Sequence, residues 1–72
     1  MAEILRKNIQ YKMKKQDAQM VLDWYNGVDT DLTEEVCMLL PEYIIYDRNN
    51  TDQMRFWIYI HKQSLIDDAN GD

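Results

Sequence analysis

One cysteine, one proline, one histidine and two glycines in 72 residues put several kinds of protein out of reach. A lone Cys37 forbids an internal disulfide. Cys37 and His61 together fall short of the four ligands that a structural zinc takes. Two glycines cannot build a glycine-rich phosphate loop. No apolar run nears the ~20 residues of a membrane-spanning helix. The opening "MAEILRKN" has neither the apolar core nor the cleavage site of a secretory leader. These features predict a cytoplasmic protein, and a free thiol suits a reducing compartment. Asn49-Asn50-Thr51 spells a glycosylation acceptor, a tripeptide short enough to arise by chance.

What is present is a small chain with an ordinary apolar share, 46%, which argues against disorder. Residues 1–72 read as a single domain, with 63–72 as a frayed acidic tail. A chain this short buries only roughly 60% of its unfolded surface. Without disulfide or metal, such domains often gain stability by self-association, so a homodimer is expected.

The net charge of −5 is unevenly spread. Residues 1–15 balance to +4, residues 16–52 to −8 and residues 53–72 to −1. A basic first segment thus precedes a strongly acidic middle, in which Arg48 is the only Lys or Arg. Asymmetry of this kind bears on partners and solubility rather than on fold.

"NIQYKMKK" alternates, with Ile9, Tyr11 and Met13 on one side and Asn8, Gln10, Lys12 and Lys14 on the other. The period predicts a strand over 3–14. Leu5, Ile9 and Met13 also step by four, so the first half of a long helix is the open alternative. "DAQMVLDWYNG" predicts a helix through Ala18, Val21, Leu22 and Tyr25, capped by Asp17 and stopped by Gly27. "DLTEEVCMLLP" predicts a second, with Asp31 and Glu34 as a capping box, Leu32, Val36, Leu39 and Leu40 buried, and Pro41 as its end. "EYIIYD" and "QMRFWIYIHK" flank the turn formers "RNNT" and predict a hairpin of strands 42–48 and 53–62. Ser64 is placed as the cap of one further helical turn. The expected fold is α+β: a small three-stranded antiparallel sheet with two helices on one face, in the order β-α-α-β-β.

Two helices cover one face of such a sheet and leave the other bare. That face carries Arg55, Trp57, Tyr59 and His61, and Trp, Tyr and Arg are enriched at binding hot spots. It is therefore expected to be a partner or dimer interface, and Trp57→Ala is expected to loosen an assembly more than it unfolds the monomer.

Catalytic constellations are missing from the pattern. His61 reads as a solvated imidazole and Cys37 as a thiol within an apolar helix. The carboxylates lack the apolar neighbours that would tune them for acid–base work, and no calcium-loop spacing exists. No enzyme, metal or cofactor is expected.

The carboxylates of Asp23, Asp29, Asp31, Glu34, Glu35, Glu42, Asp47 and Asp52 form the candidate binding surface for a basic protein. On a compact surface such groups stand roughly 6–10 Å apart, comparable with phosphate neighbours on a duplex that carries a charge per ~1.7 Å of axis. In size and acidity the chain resembles small phage-encoded inhibitors of host proteins, some of which are DNA mimics aimed at bacterial nucleoid proteins. The resemblance rests on composition and matches no motif. It implies a non-enzymatic inhibitor or modulator, acting in the host cytoplasm, that blocks a nucleic-acid-binding protein. A toxin–antitoxin or other regulatory partner fits the same features. The alternative is single-stranded nucleic-acid binding, with Trp57 and Tyr59 stacking bases on the open sheet face and Lys7, Lys12, Lys14 and Arg55 meeting phosphates. The net charge opposes it.

Overall fold

The computed structural model describes residues 13–71. Among them the chain forms four helices: α1 Lys15–Tyr25, α2 Thr33–Leu39, α3 Asp52–Ile60 and α4 Lys62–Ala69. A 3₁₀ turn, Thr30–Leu32, leads into α2. No strand occurs among the described residues, so the α+β sheet is corrected to an all-helical arrangement. The strand expected over 3–14 lies outside the described residues, except for Met13 and Lys14, which belong to no regular element.

Helix α1 is the centre of the packing. Ala18, Val21, Leu22 and Trp24 are buried, an i, i+3, i+4 stripe widened by Trp24. The helix packs on each of the others, most extensively on α4. Its C-terminal end is a Schellman motif: the Val28 N–H donates to the Asp23 carbonyl (2.8 Å) and the Gly27 N–H to that of Trp24 (3.2 Å). Gly27 sits at φ +81°, where a Cβ is disfavoured, so the expected glycine stop holds. Asp17 is not the cap. It lies inside the first turn, and the N-cap, Lys14, makes no side-chain bond. The chain is instead anchored here by the Met13 N–H, which donates to Asp68 Oδ2 of α4 at 2.9 Å.

The second expected helix divides. Residues Thr30–Leu32 form the 3₁₀ turn and Thr33–Leu39 the α-helix, with no capping-box bond from Asp31 or Glu34. Glu34 and Glu35 still occupy the first turn of α2, where the helix dipole favours negative charge. Val36 and Leu40 are buried, while Leu32 and Leu39 are half-buried.

The hairpin is the principal correction. Residues 42–48 form no ladder. The Ile44 N–H turns back to the Pro41 carbonyl (3.0 Å) and the Ile45 N–H is taken by Gln53 Oε1 (3.2 Å). The Asn49 N–H goes to Asp47 Oδ1 and the Asp52 N–H to Asn50 Oδ1. These side chains supply acceptors that a sheet would otherwise have supplied. The partner strand, 53–62, is helix α3 over most of its length, with Met54, Trp57 and Ile58 buried. His61 interrupts the helical run, and the tail expected to fray is helix α4, which buries Leu65 and holds Ser64 within its first turn rather than at its cap.

The physical reason lies in the core. Met54, Trp57, Ile58 and Leu65 join Ala18, Val21, Leu22, Trp24, Val36 and Leu40 in one buried cluster. A helix turns Met54, Trp57 and Ile58 to the same side, whereas a strand sends Trp57 opposite to the other two. The helix-propensity penalty of Phe, Trp, Ile and Tyr is at most ~0.7 kcal/mol each. Burying one large apolar side chain gives about 1.5–3 kcal/mol. Three of them outweigh the local preference. The shortage of cover expected for a two-faced sheet does not arise.

Candidate protein-binding surface

The structure separates the four residues of the expected aromatic face. Trp57 is 4% exposed and Tyr59 is 67% exposed. Trp57 and His61, one helical turn apart, pair with ring centroids 4.2 Å apart. The Trp57 indole N–H donates to the Tyr43 hydroxyl at 3.1 Å. Arg55 turns toward α1 and places its guanidinium 4.9 Å from the ring of Trp24, a cation–π contact. Trp57 is therefore a core residue, and the reading of Arg55, Trp57, Tyr59 and His61 as one interface is corrected. The open-sheet platform for stacking bases on Trp57 and Tyr59 goes with it. Lys7 and Lys12, its expected phosphate contacts, lie outside the described residues; Lys14 is exposed just before α1.

Trp24 is satisfied in a similar way. Its indole N–H donates to Thr33 Oγ1 (2.9 Å), and the Thr33 hydroxyl donates onward to the Thr30 carbonyl (3.0 Å). This chain of bonds ties α1 to the start of α2 and fixes the acidic stretch between them.

Seven of the eight carboxylates singled out, those of Asp29, Asp31, Glu34, Glu35, Glu42, Asp47 and Asp52, belong to exposed residues. Asp23 is half-buried; its carboxylate accepts from Gln19 Nε2 (2.9 Å) and its carbonyl closes the end of α1. Asp47 uses one oxygen on the Asn49 N–H. Arg48 donates to the Tyr46 hydroxyl at 3.3 Å. That bond, then the fields of Tyr46 and Glu34, hold its guanidinium above its ordinary pKa, so it stays charged. One cation among these carboxylates does not neutralise the stretch.

The rest of the chemistry is spare. Cys37 is half-buried, its sulfur 4.0 Å from the Ile44 carbonyl, and burial raises its pKa. A raised pKa keeps the thiol protonated and weakly nucleophilic at neutral pH. Among the described residues no group of three or more His, Cys, Asp or Glu is placed to hold a metal ion. No helix among them is long and apolar enough to cross a membrane.

A feature missed by sequence reasoning is an apolar surface. Phe56, Tyr59 and Ile60 of α3 are 65%, 67% and 56% exposed. Their i, i+3, i+4 spacing puts them on one helical face, opposite the buried Met54, Trp57 and Ile58. Tyr43 and Ile45 are exposed to a similar degree. The Tyr43–Trp57 and Ile45–Gln53 bonds hold this segment along α3. The spacing was present in the sequence, but a strand reading sends Tyr59 to the face opposite Phe56 and Ile60.

No family model, curated protein or solved structure matches this chain.

Proposed function

We propose that this chain is a non-enzymatic protein-binding module that presents an acidic surface to a basic, nucleic-acid-binding protein, as an inhibitor or modulator acting in the cytoplasm. The observation that carries the reading is the exposed stretch from Asp29 to Asp52, which displays seven carboxylates against Arg48 alone. The hydrogen bonds around Trp24 and Thr33 hold the start of this stretch against the core. A fixed array of like charge steers encounter with an oppositely charged partner and disfavours acidic ones. It competes with nucleic acid because both offer anionic oxygen to the same Lys and Arg side chains.

The test is capture from a bacterial lysate at low salt, with the protein immobilised. The proposal expects basic proteins on the bait, their release by excess duplex DNA, and their loss when Asp31→Asn, Glu34→Gln and Glu35→Gln are combined. Capture of nothing basic, or equal capture by the neutralised variant, would count against it.

A further inference from the structure

We propose that Asn70 is a site of spontaneous covalent modification, at which the backbone nitrogen of Gly71 displaces the side-chain amide and a carboxylate replaces it. The chain holds two Asn-Gly pairs, Asn26-Gly27 and Asn70-Gly71. Glycine leaves the attacking nitrogen uncrowded because it has no Cβ. The other three asparagines precede Ile9, Asn50 and Thr51, whose side chains hinder that attack. In the reaction the Gly71 amide gives its proton to a base, and its nitrogen bonds to Cγ of Asn70. The Cγ–Nδ2 bond breaks and Nδ2 leaves as ammonia, taking up a proton. Water then opens the five-membered imide at either carbonyl. The product is an aspartate or its isomer linked through the side chain.

The fold ranks the two pairs. Each asparagine ends a helix in nearly the same conformation, Asn26 at φ −85° and ψ 1° after α1, Asn70 at φ −79° and ψ −5° after α4. Both are exposed, and the glycines that follow sit at φ +81° and +93°. Closing the imide needs Cβ and the next nitrogen eclipsed across the Cα–C bond. At ψ near zero the tetrahedral Cα holds them roughly 120° apart. Each cap must therefore open first, and the two openings break different things. At Asn26 the N–H groups of Gly27, Val28 and Asp29 all donate back to the Trp24 and Asp23 carbonyls. The turn beyond them places Thr33 against the indole of Trp24, which is 1% exposed. At Asn70 the Gly71 N–H leaves the Asp68 carbonyl (3.2 Å), and Gly71 parts from the side chain of the exposed Lys15. The first opening disturbs the core; the second frays one helical turn. The reaction follows the population of the opened state, so Asn70 is the faster site.

The product weakens the end of α4. A new carboxylate stands at the helix C-terminus, where the dipole disfavours negative charge, and three residues beyond Asp67. The isomer also adds a methylene to the backbone before Gly71. That displaces the Gly71 N–H from Asp68, whose carboxylate holds the Met13 N–H at the entry to α1.

The test incubates the full chain in mildly alkaline buffer, folded and in urea, and follows the peptides around both pairs by mass spectrometry over time. In the folded chain Asn70 should lose its amide about tenfold faster than Asn26, and in urea the two rates should converge. The aged folded chain should melt a few degrees lower, and Asn70→Gln should keep its melting temperature over the same period. Equal rates in the folded chain would overturn the ranking, as would a tenfold gap that persists in urea. An Asn70 amide that survives in the folded chain while urea releases it would overturn the site itself.

Discussion

Replacing Trp57 and its neighbour Phe56 by alanine, one at a time, separates helix from strand sharply. Trp57 is 4% exposed and closes the core between α3 and α1, whereas Phe56 is 65% exposed. Truncating a buried Trp destabilises by about 3–5 kcal/mol through lost burial and the cavity left behind. The Tyr43 hydroxyl, on an exposed residue, recovers its lost partner from water, so little is added by breaking that bond. A domain of 72 residues has roughly 4–11 kcal/mol in all. Trp57→Ala therefore removes about a quarter or more of the stability, and leaves a chain near the low end of that range largely unfolded. Each kcal/mol shifts the midpoint by about 4–8 °C in a domain of this size, so the fall exceeds about 12 °C. Phe56→Ala removes little buried area and exchanges Phe for the best helix former, so its effect stays within about 0.5 kcal/mol. Urea titrations monitored by far-ultraviolet circular dichroism give both numbers. Equal losses from the two variants, or a larger loss from Phe56→Ala, would refute the assignment of faces.

Thr33→Val leaves the Trp24 indole N–H without its acceptor and is expected to cost about 1–3 kcal/mol in the same titration. Pairing it with Trp24→Phe should reveal a coupling of about 0.5 kcal/mol or more, because both changes break one bond. Gly27→Ala meets no atom within 4 Å, so its loss, about 1–2 kcal/mol, comes from the backbone at φ +81° alone. Cys37 has its pKa raised by desolvation above the ordinary 9.0. In mildly alkaline buffer the folded thiol should thus react with a disulfide reagent more slowly than the urea-unfolded one. Well below pH 9.0 both states hold the proton and Cys37 adds no pH dependence; as the pH approaches and passes 9.0 the unfolded chain releases the proton first, so stability falls as pH rises toward the folded pKa.

Helix α1 is legible in the sequence because Ala18, Val21 and Leu22 repeat at helical spacing and Gly27 marks the end, signals that do not depend on the rest of the chain. Its cap was not legible: Asp17 is the right residue type, but the helix begins two residues earlier and its entry is held by Asp68, far along the chain. The run from Met54 to Ile60 misleads for a different reason. Every position but Arg55 is apolar, so alternate residues and helical residues both look like a buried stripe. Residue preference then favours a strand, while the packing of Met54, Trp57 and Ile58 against α1 decides for a helix. Seven of the eight acidic residues are exposed in the helical fold, as expected of carboxylates, which are costly to bury in any element. The shared outward face of Phe56, Tyr59 and Ile60 does not exist without α3, and so depends on the fold being known.

Carbon-13 secondary chemical shifts and nuclear Overhauser contacts over residues 41–69 decide between the two arrangements without any substitution. Helical shifts over Asp52–Ile60 and Lys62–Ala69, with a break at His61 and contacts from Trp57 to α1, are expected. Strand shifts with cross-strand contacts between residues 42–48 and 53–62 would contradict the helical core, and with it the outward face of Phe56, Tyr59 and Ile60.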